Sequence, residues 1–255
     1  MIHAETLSGL LGLSHAFFTR QGGVSEGPWA SLNVGLRSGD RPDRVATNRA
    51  RAARALGLDA DRLVTARQVH GTTALIVENS WGHADAPDAD ALVTRQPGLL
   101  LGVLSADCGP LLLADHTAGV IGAAHAGWKG ALAGIAEATV AAMVELGAVP
   151  ARVTAALGPC IAQASYEVGP EFVARFARSD PASAAFLAPG PIPFKAQFDL
   201  KGYVAARLQR AGIERVEVLP HDTCEDEDRF FSFRRTIRRG EDRFGLQLSA
   251  IALVP

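Results

Sequence analysis

Apolar residues in this chain come in short runs separated by turn-forming residues. Four runs crowd the middle, at residues 89–94, 99–104, 110–114 and 119–124, with Gln96-Pro97-Gly98 and Asp115-His116-Thr117 as turn signals between them. That spacing predicts strands in a meander or mixed sheet. Further strands are predicted at 15–20, 63–69, 73–78, 153–157, 216–219 and 246–253. Helical periodicity marks 44–56, stopping at Gly57, and 131–146, ended by Gly147 and Pro150. It also marks 170–178 and 200–211, the last capped by Asp199. The segments 21–28 and 179–194 read as loops. No repeat or linker divides the chain, so one α/β domain over residues 1–255 is expected.

At 255 residues the chain is long enough to bury a sizeable core. Hydrophobic content of 48% with 20% charged residues excludes a disordered class. A formal net charge of −2 gives no footprint for nucleic acid. The one basic run, Arg234-Arg235 with Arg238-Arg239, is bracketed by acidic residues and reads as a solvated, self-compensated surface. Three cysteines at long spacing are not a disulfide framework and suit a reducing compartment. With no apolar run of spanning length and no signal-peptide pattern, a cytoplasmic protein without membrane partners is expected.

Candidate chemistry gathers where apolar runs end. Ser105-Ala106-Asp107-Cys108-Gly109-Pro110 and Ala124-His125-Ala126-Gly127-Trp128-Lys129-Gly130 each follow a buried-strand pattern, and Arg67-Gln68-Val69-His70-Gly71 reads as a third strand ending at Gly. Cys108, His125 and His70 together make a three-ligand metal set with an open fourth position. Each has a plain structural alternative: a small buried thiol, or a satisfied core histidine. His83, His116 and His221 rival His70, since spacing alone does not choose among them. Asp107 is a carboxylate beside a buried strand and needs a partner or a function. Lys129 and the helix start after His125 suggest an anion-binding corner, against the alternative of an exposed lysine. Arg20 and Asn33 flank the Gly-rich loop, and Arg20 could bind an anion bidentately. Cys160, after Gly158-Pro159, is either cavity lining or core.

Taken in order, these segments resemble one family. They are Phe18-Thr19-Arg20-Gln21-Gly22-Gly23-Val24-Ser25, Ser31-Leu32-Asn33, Gln68-Val69-His70-Gly71, Ala106-Asp107-Cys108-Gly109-Pro110 and His125-Ala126-Gly127-Trp128-Lys129-Gly130. Gly158-Pro159-Cys160-Ile161, Tyr166-Glu167-Val168 and Arg229-Phe230-Phe231-Ser232-Phe233-Arg234-Arg235 complete the match. The chain resembles the YfiH-type family, long labelled multicopper polyphenol oxidase (laccase) and now assigned purine nucleoside phosphorylase activity.

The resemblance implies a layered α/β sandwich of mixed sheets with flanking helices, similar to the fold of a deamidating bacterial toxin with a cysteine–histidine site. It places zinc ligands on His70, Cys108 and His125. It implies phosphorolysis of adenosine, inosine, guanosine and 5′-methylthioadenosine, plus hydrolytic deamination of adenosine. Purine nucleosides and inorganic phosphate are then the partners. Asp107 joins Cys108 and His125 as a catalytic candidate. Arg20, Asn33, Gln68, Lys129, Cys160 and Arg234 are candidates for holding substrate or phosphate. Copper is an alternative metal for such a donor set. A four-electron oxidase needs several His-rich copper sites, and seven His without a His-x-His cluster do not supply them. A metal-independent cysteine hydrolase with a Cys108–His125 pair remains the second reading.

Overall fold

Strand residues here alternate between two buried faces. In the strand Gly109–Asp115, Leu111 and Leu113 pack with the helices Ile135–Glu145 and Leu200–Arg210, while Leu112 and Ala114 meet Leu101, Val103 and Ile251 of another sheet. In Leu100–Ser105 the odd partner is Leu100, which packs with Ala52, Ala53 and Leu56 around the helix Pro42–Ala55. A period of two with both faces apolar makes every central strand bury on both sides, and each such leucine contributes about 2 kcal/mol. The result is two sheets face to face with helices over their outer sides, in the computed structural model, which describes residues 1–254.

The larger sheet has six strands in the order Arg215–Val218, Thr154–Leu157, Gly109–Asp115, Val120–Ala126, Ala91–Thr94 and Ala74–Ile76. Its outer pairs are parallel and its inner pairs antiparallel. The second sheet runs Leu13–Phe17, Gln247–Leu253, Leu100–Ser105 and Leu63–Val64, with only the last pair parallel. A small sheet of Leu187–Pro189, Ala196–Phe198 and Glu167–Val168 stands apart. This is the expected mixed α/β layering.

Several local expectations are corrected. The strand expected at 63–69 covers only Leu63–Val64. Beyond it side chains replace the ladder: Gln68 donates to the Leu104 carbonyl and accepts from its N–H, at 2.7 Å each. The helix expected at 131–146 is two helices, Trp128–Ala133 and Ile135–Glu145, because Gly134 adopts a φ of 109°. The Arg207 guanidinium donates to the freed carbonyls of Ala131 and Leu132. The expected loop at 179–194 contains the strand Leu187–Pro189. The basic run is not a merely solvated surface. It forms the helix Phe233–Arg238, capped by Ser232, with Arg235 turned onto the carbonyls of Thr223, Cys224 and Phe230.

Candidate metal centre

The register of the larger sheet assembles the site. Ala91 pairs with Ala124 and Pro110 with His125. Asp90 therefore falls opposite His125, whose N–H donates to the Asp90 carbonyl at 2.7 Å. The Asp90 side chain, fully buried, then meets Nδ1 of His125 at 2.9 Å. The same carboxylate accepts the backbone N–H groups of Val69, His70 and Gly71 at 3.2, 3.0 and 2.7 Å. This grip holds the His70 loop in place, with His70 at a φ of 59°.

His70, Cys108 and His125 each offer a donor atom, and the three donors lie within 4.8 Å of one another. Among the described residues they are the one group of at least three His, Cys, Asp or Glu side chains placed this way. Sγ of Cys108 is 3.8 Å from Nε2 of His70, and the two imidazoles meet edge to face at 4.8 Å. Burial pushes the Cys108 thiol up, but the His125 and His70 rings outweigh it and bring it down to about 7. Burial pulls His125 down, yet the Cys108 sulfur and the Asp90 carboxylate raise it to about 9. Burial also raises Asp90, and its hydrogen bonds to His125 and to the Gly71 and Val69 amides hold it below the usual carboxylate range.

These residues fit a metal ion. The thiolate is the ligating form of cysteine, and a carboxylate on Nδ1 fixes a histidine to present Nε2. Gly127 supplies the necessary room: a Cβ there would lie 2.7 Å from Cδ2 of His70 and 3.0 Å from Sγ of Cys108. The cluster opens on a cavity of about 600 Å³, whose wall also includes Gln68, Ser105, Phe233 and Phe244.

Other candidates lie elsewhere. Asp107, at a φ of 89°, accepts from Thr223 Oγ1 at 2.7 Å, Ser232 Oγ at 2.9 Å and the Arg234 N–H at 2.6 Å. Burial raises its pKa against those hydrogen bonds. Its bonds anchor the 223–234 segment, and the carboxylate at His125 is Asp90. Asn33 is wholly buried and bonds Ser38, Asp40 and the amides of Gly35 and Leu246. Arg20 donates to the carbonyls of Ala30 and Glu227 and stacks on Phe231. Cys160 is wholly buried, and burial pushes its thiol up to about 12. Lys129 and Arg234 line a second cavity of about 530 Å³ with Trp128 and Tyr166. His83 borders the first cavity but is not in the cluster. Asp90 lies near the start of the run 89–94, with no Gly-rich turn beside it to mark a site. The signal is the one that singled out Asp107: a carboxylate at the end of a buried strand.

A family model described as multi-copper polyphenol oxidoreductase laccase matches residues 14–254. A "Purine nucleoside phosphorylase" of Deinococcus radiodurans is 46% identical over 228 residues, covering 88% of this chain and 85% of that protein. An "Adenosine deaminase RL5" from an unknown prokaryotic organism is 34% identical over 230 residues, covering 86% and 88%. The crystal structure of a Bacillus licheniformis hypothetical protein YfiH superposes with a TM-score of 0.87 at 32% identity, covering 94% of this chain and 92% of that one. The chain belongs to the multi-copper polyphenol oxidoreductase laccase family, the YfiH-type family of its solved relatives.

Proposed function

We propose that this chain is a purine nucleoside phosphorylase that also deaminates adenosine, with a zinc ion held by His70, Cys108 and His125. The observation that carries the reading is the convergence of those three donors beside a cavity of about 600 Å³. Its volume suits a nucleoside-sized ligand. The names of the relatives from Deinococcus radiodurans and the unknown prokaryote support the substrate class. Adenosine, inosine, guanosine and 5′-methylthioadenosine are the substrates we assign, and the three free thiols suit cytoplasmic work.

Bound by His70, Cys108 and His125, zinc would supply Lewis-acid chemistry beside the cavity; the donor set also accepts copper. Asp90 keeps His125 in one orientation and neutralises part of the charge gathered there. In phosphorolysis a phosphate oxygen bonds to C1′ as the bond from C1′ to the base nitrogen breaks. The leaving base nitrogen takes up the proton that the attacking phosphate gives up, so the products are free purine and ribose 1-phosphate, or 5-methylthioribose 1-phosphate from 5′-methylthioadenosine. Lys129 and Arg234 are the cations we assign to phosphate. In deamination water adds at C6 of adenine and ammonia leaves, giving inosine.

A second reading has its own observation. Asp90, His125 and Cys108 lie in the order of a carboxylate–imidazole–thiol relay, the arrangement of a cysteine hydrolase. The deciding experiment incubates zinc-loaded and chelator-treated protein with adenosine, with and without phosphate, and separates the products. Phosphate-dependent adenine, together with inosine formed without phosphate, is expected from the zinc-loaded protein alone. Equal conversion after chelation contradicts the zinc reading and favours the relay. No conversion in any arm rejects the nucleoside assignment.

A further inference from the structure

The wall of the main cavity carries two phenylalanines, Phe233 exposed and Phe244 half-buried, and the fold does not explain the exposure of Phe233. Phe233 is 49% exposed although it opens a helix packed onto the protein. Phe244 stands beside it, with ring centroids 5.3 Å apart and planes inclined at 61°. Both border the cavity that holds His70, Cys108 and His125. An apolar ring left open to solvent inside a functional cavity is a surface for a ligand.

The backbone around Phe233 is tied to the cluster. Its neighbours on either side, Ser232 through Oγ and Arg234 through its N–H, both donate to the carboxylate of Asp107, at 2.9 and 2.6 Å. Asp107 is bonded in sequence to Cys108. One carboxylate thus fixes the start of this helix against the strand end that carries the thiol. A flat group resting on Phe233 is held at a set distance from Cys108.

We propose that the purine base of the substrate stacks on the open face of Phe233, with Phe244 braced edge-on behind it, so that Phe233 is the base-binding residue. This rests on the nucleoside reading above and deepens it. Stacking on an apolar ring uses the π face of the base and not its edge. Such a platform accepts a 6-amino and a 6-oxo purine alike, and it favours the larger purine face over a pyrimidine.

The test compares Phe233→Ala, Phe233→Tyr and Ile237→Ala with the wild type, all zinc-loaded. Ile237 is 57% exposed on the same helix and does not line the cavity, so its variant controls for loss of exposed apolar surface. KM for both adenosine and inosine is expected to rise roughly tenfold or more in Phe233→Ala. KM for phosphate and the melting temperature should stay near the wild-type values, and Phe233→Tyr should restore the nucleoside KM. Equal nucleoside KM in Phe233→Ala and Ile237→Ala overturns the proposal while leaving the phosphorylase reading intact. If the wild type converts no nucleoside, that reading fails by itself. Calorimetric binding of free adenine then decides the proposal: weaker binding to Phe233→Ala than to wild type supports it, and equal or absent binding rejects it.

Discussion

Asp90 serves two segments at once. It accepts from the amides of Val69, His70 and Gly71, and it holds Nδ1 of His125. One carboxylate therefore sets the separation of the two imidazoles. Replacing it with an amide puts an N–H where an acceptor is needed, against either the loop or the ring. Asp90→Asn is expected to lower zinc affinity about 10–100-fold, the usual cost of losing the carboxylate behind a ligating histidine. Competition with a chromogenic chelator measures this, and an unchanged affinity would show that Asp90 acts only on the fold. The sequence made His70, Cys108 and His125 readable because each sits within two residues of a Gly at the end of a strand-like run. Their convergence, and the choice of His70 over His83, depended on long-range register that no local pattern carries. Asp107 and Asp90 carry the same local signal. Both are carboxylates beside buried strands, and only the pairing of Ala91 with Ala124 shows which one reaches His125.

Among the elements, the N-terminal segment has a titratable clasp. His15, on the strand Leu13–Phe17, is buried and accepts the Ala4 N–H through Nε2 at 3.0 Å, just before the helix Glu5–Ser8. That bond needs the neutral ring. Burial, with nearby His3 adding to it, lowers His15 to about 4 against the pull of Glu217. A folded pKa below the unfolded value of 6.5 means the unfolded chain binds the proton more readily. The stabilisation is present above pH 6.5 and is lost as pH falls toward 4. Thermal melts across that window should show a falling midpoint in the wild type and a flatter profile in His15→Gln, which can accept the Ala4 bond without titrating. Parallel profiles would place the acid sensitivity elsewhere. Long periodic elements were legible: the helix Leu200–Arg210, with Asp199 accepting from Gly202, follows its local signals. Elements set by side chains were not. The break at Gly134 looks like an ordinary helical glycine until Arg207 is seen on the carbonyls before it. The helix Phe233–Arg238 is too short and too basic to show an apolar stripe.

For the whole molecule, the α/β class followed from alternating apolar runs and helical stretches, and the face-to-face packing follows from strands with no polar side. The inner pairing order, in which Gly109–Asp115 lies between Thr154–Leu157 and Val120–Ala126, was not legible, because both faces of these strands are equally apolar. That order matters for function, since it brings Cys108, His125 and Asp90 to one end of the sheet. Among the described residues no helix is long and apolar enough to cross a membrane. The oxidase description attached to the family calls for several copper centres. The described residues offer one cluster of this kind, with a single thiolate.

The central claim is that His70, Cys108 and His125 form one metal site on which turnover depends. The most direct measurement is the zinc content of the purified wild type and of His70→Ala, Cys108→Ala and His125→Ala, taken beside their adenosine conversion. Stoichiometric zinc in the wild type, with metal and activity lost together in all three folded variants, is the predicted result. Activity in a zinc-free wild type, or a Cys108→Ala protein that keeps both its zinc and its turnover, would contradict it.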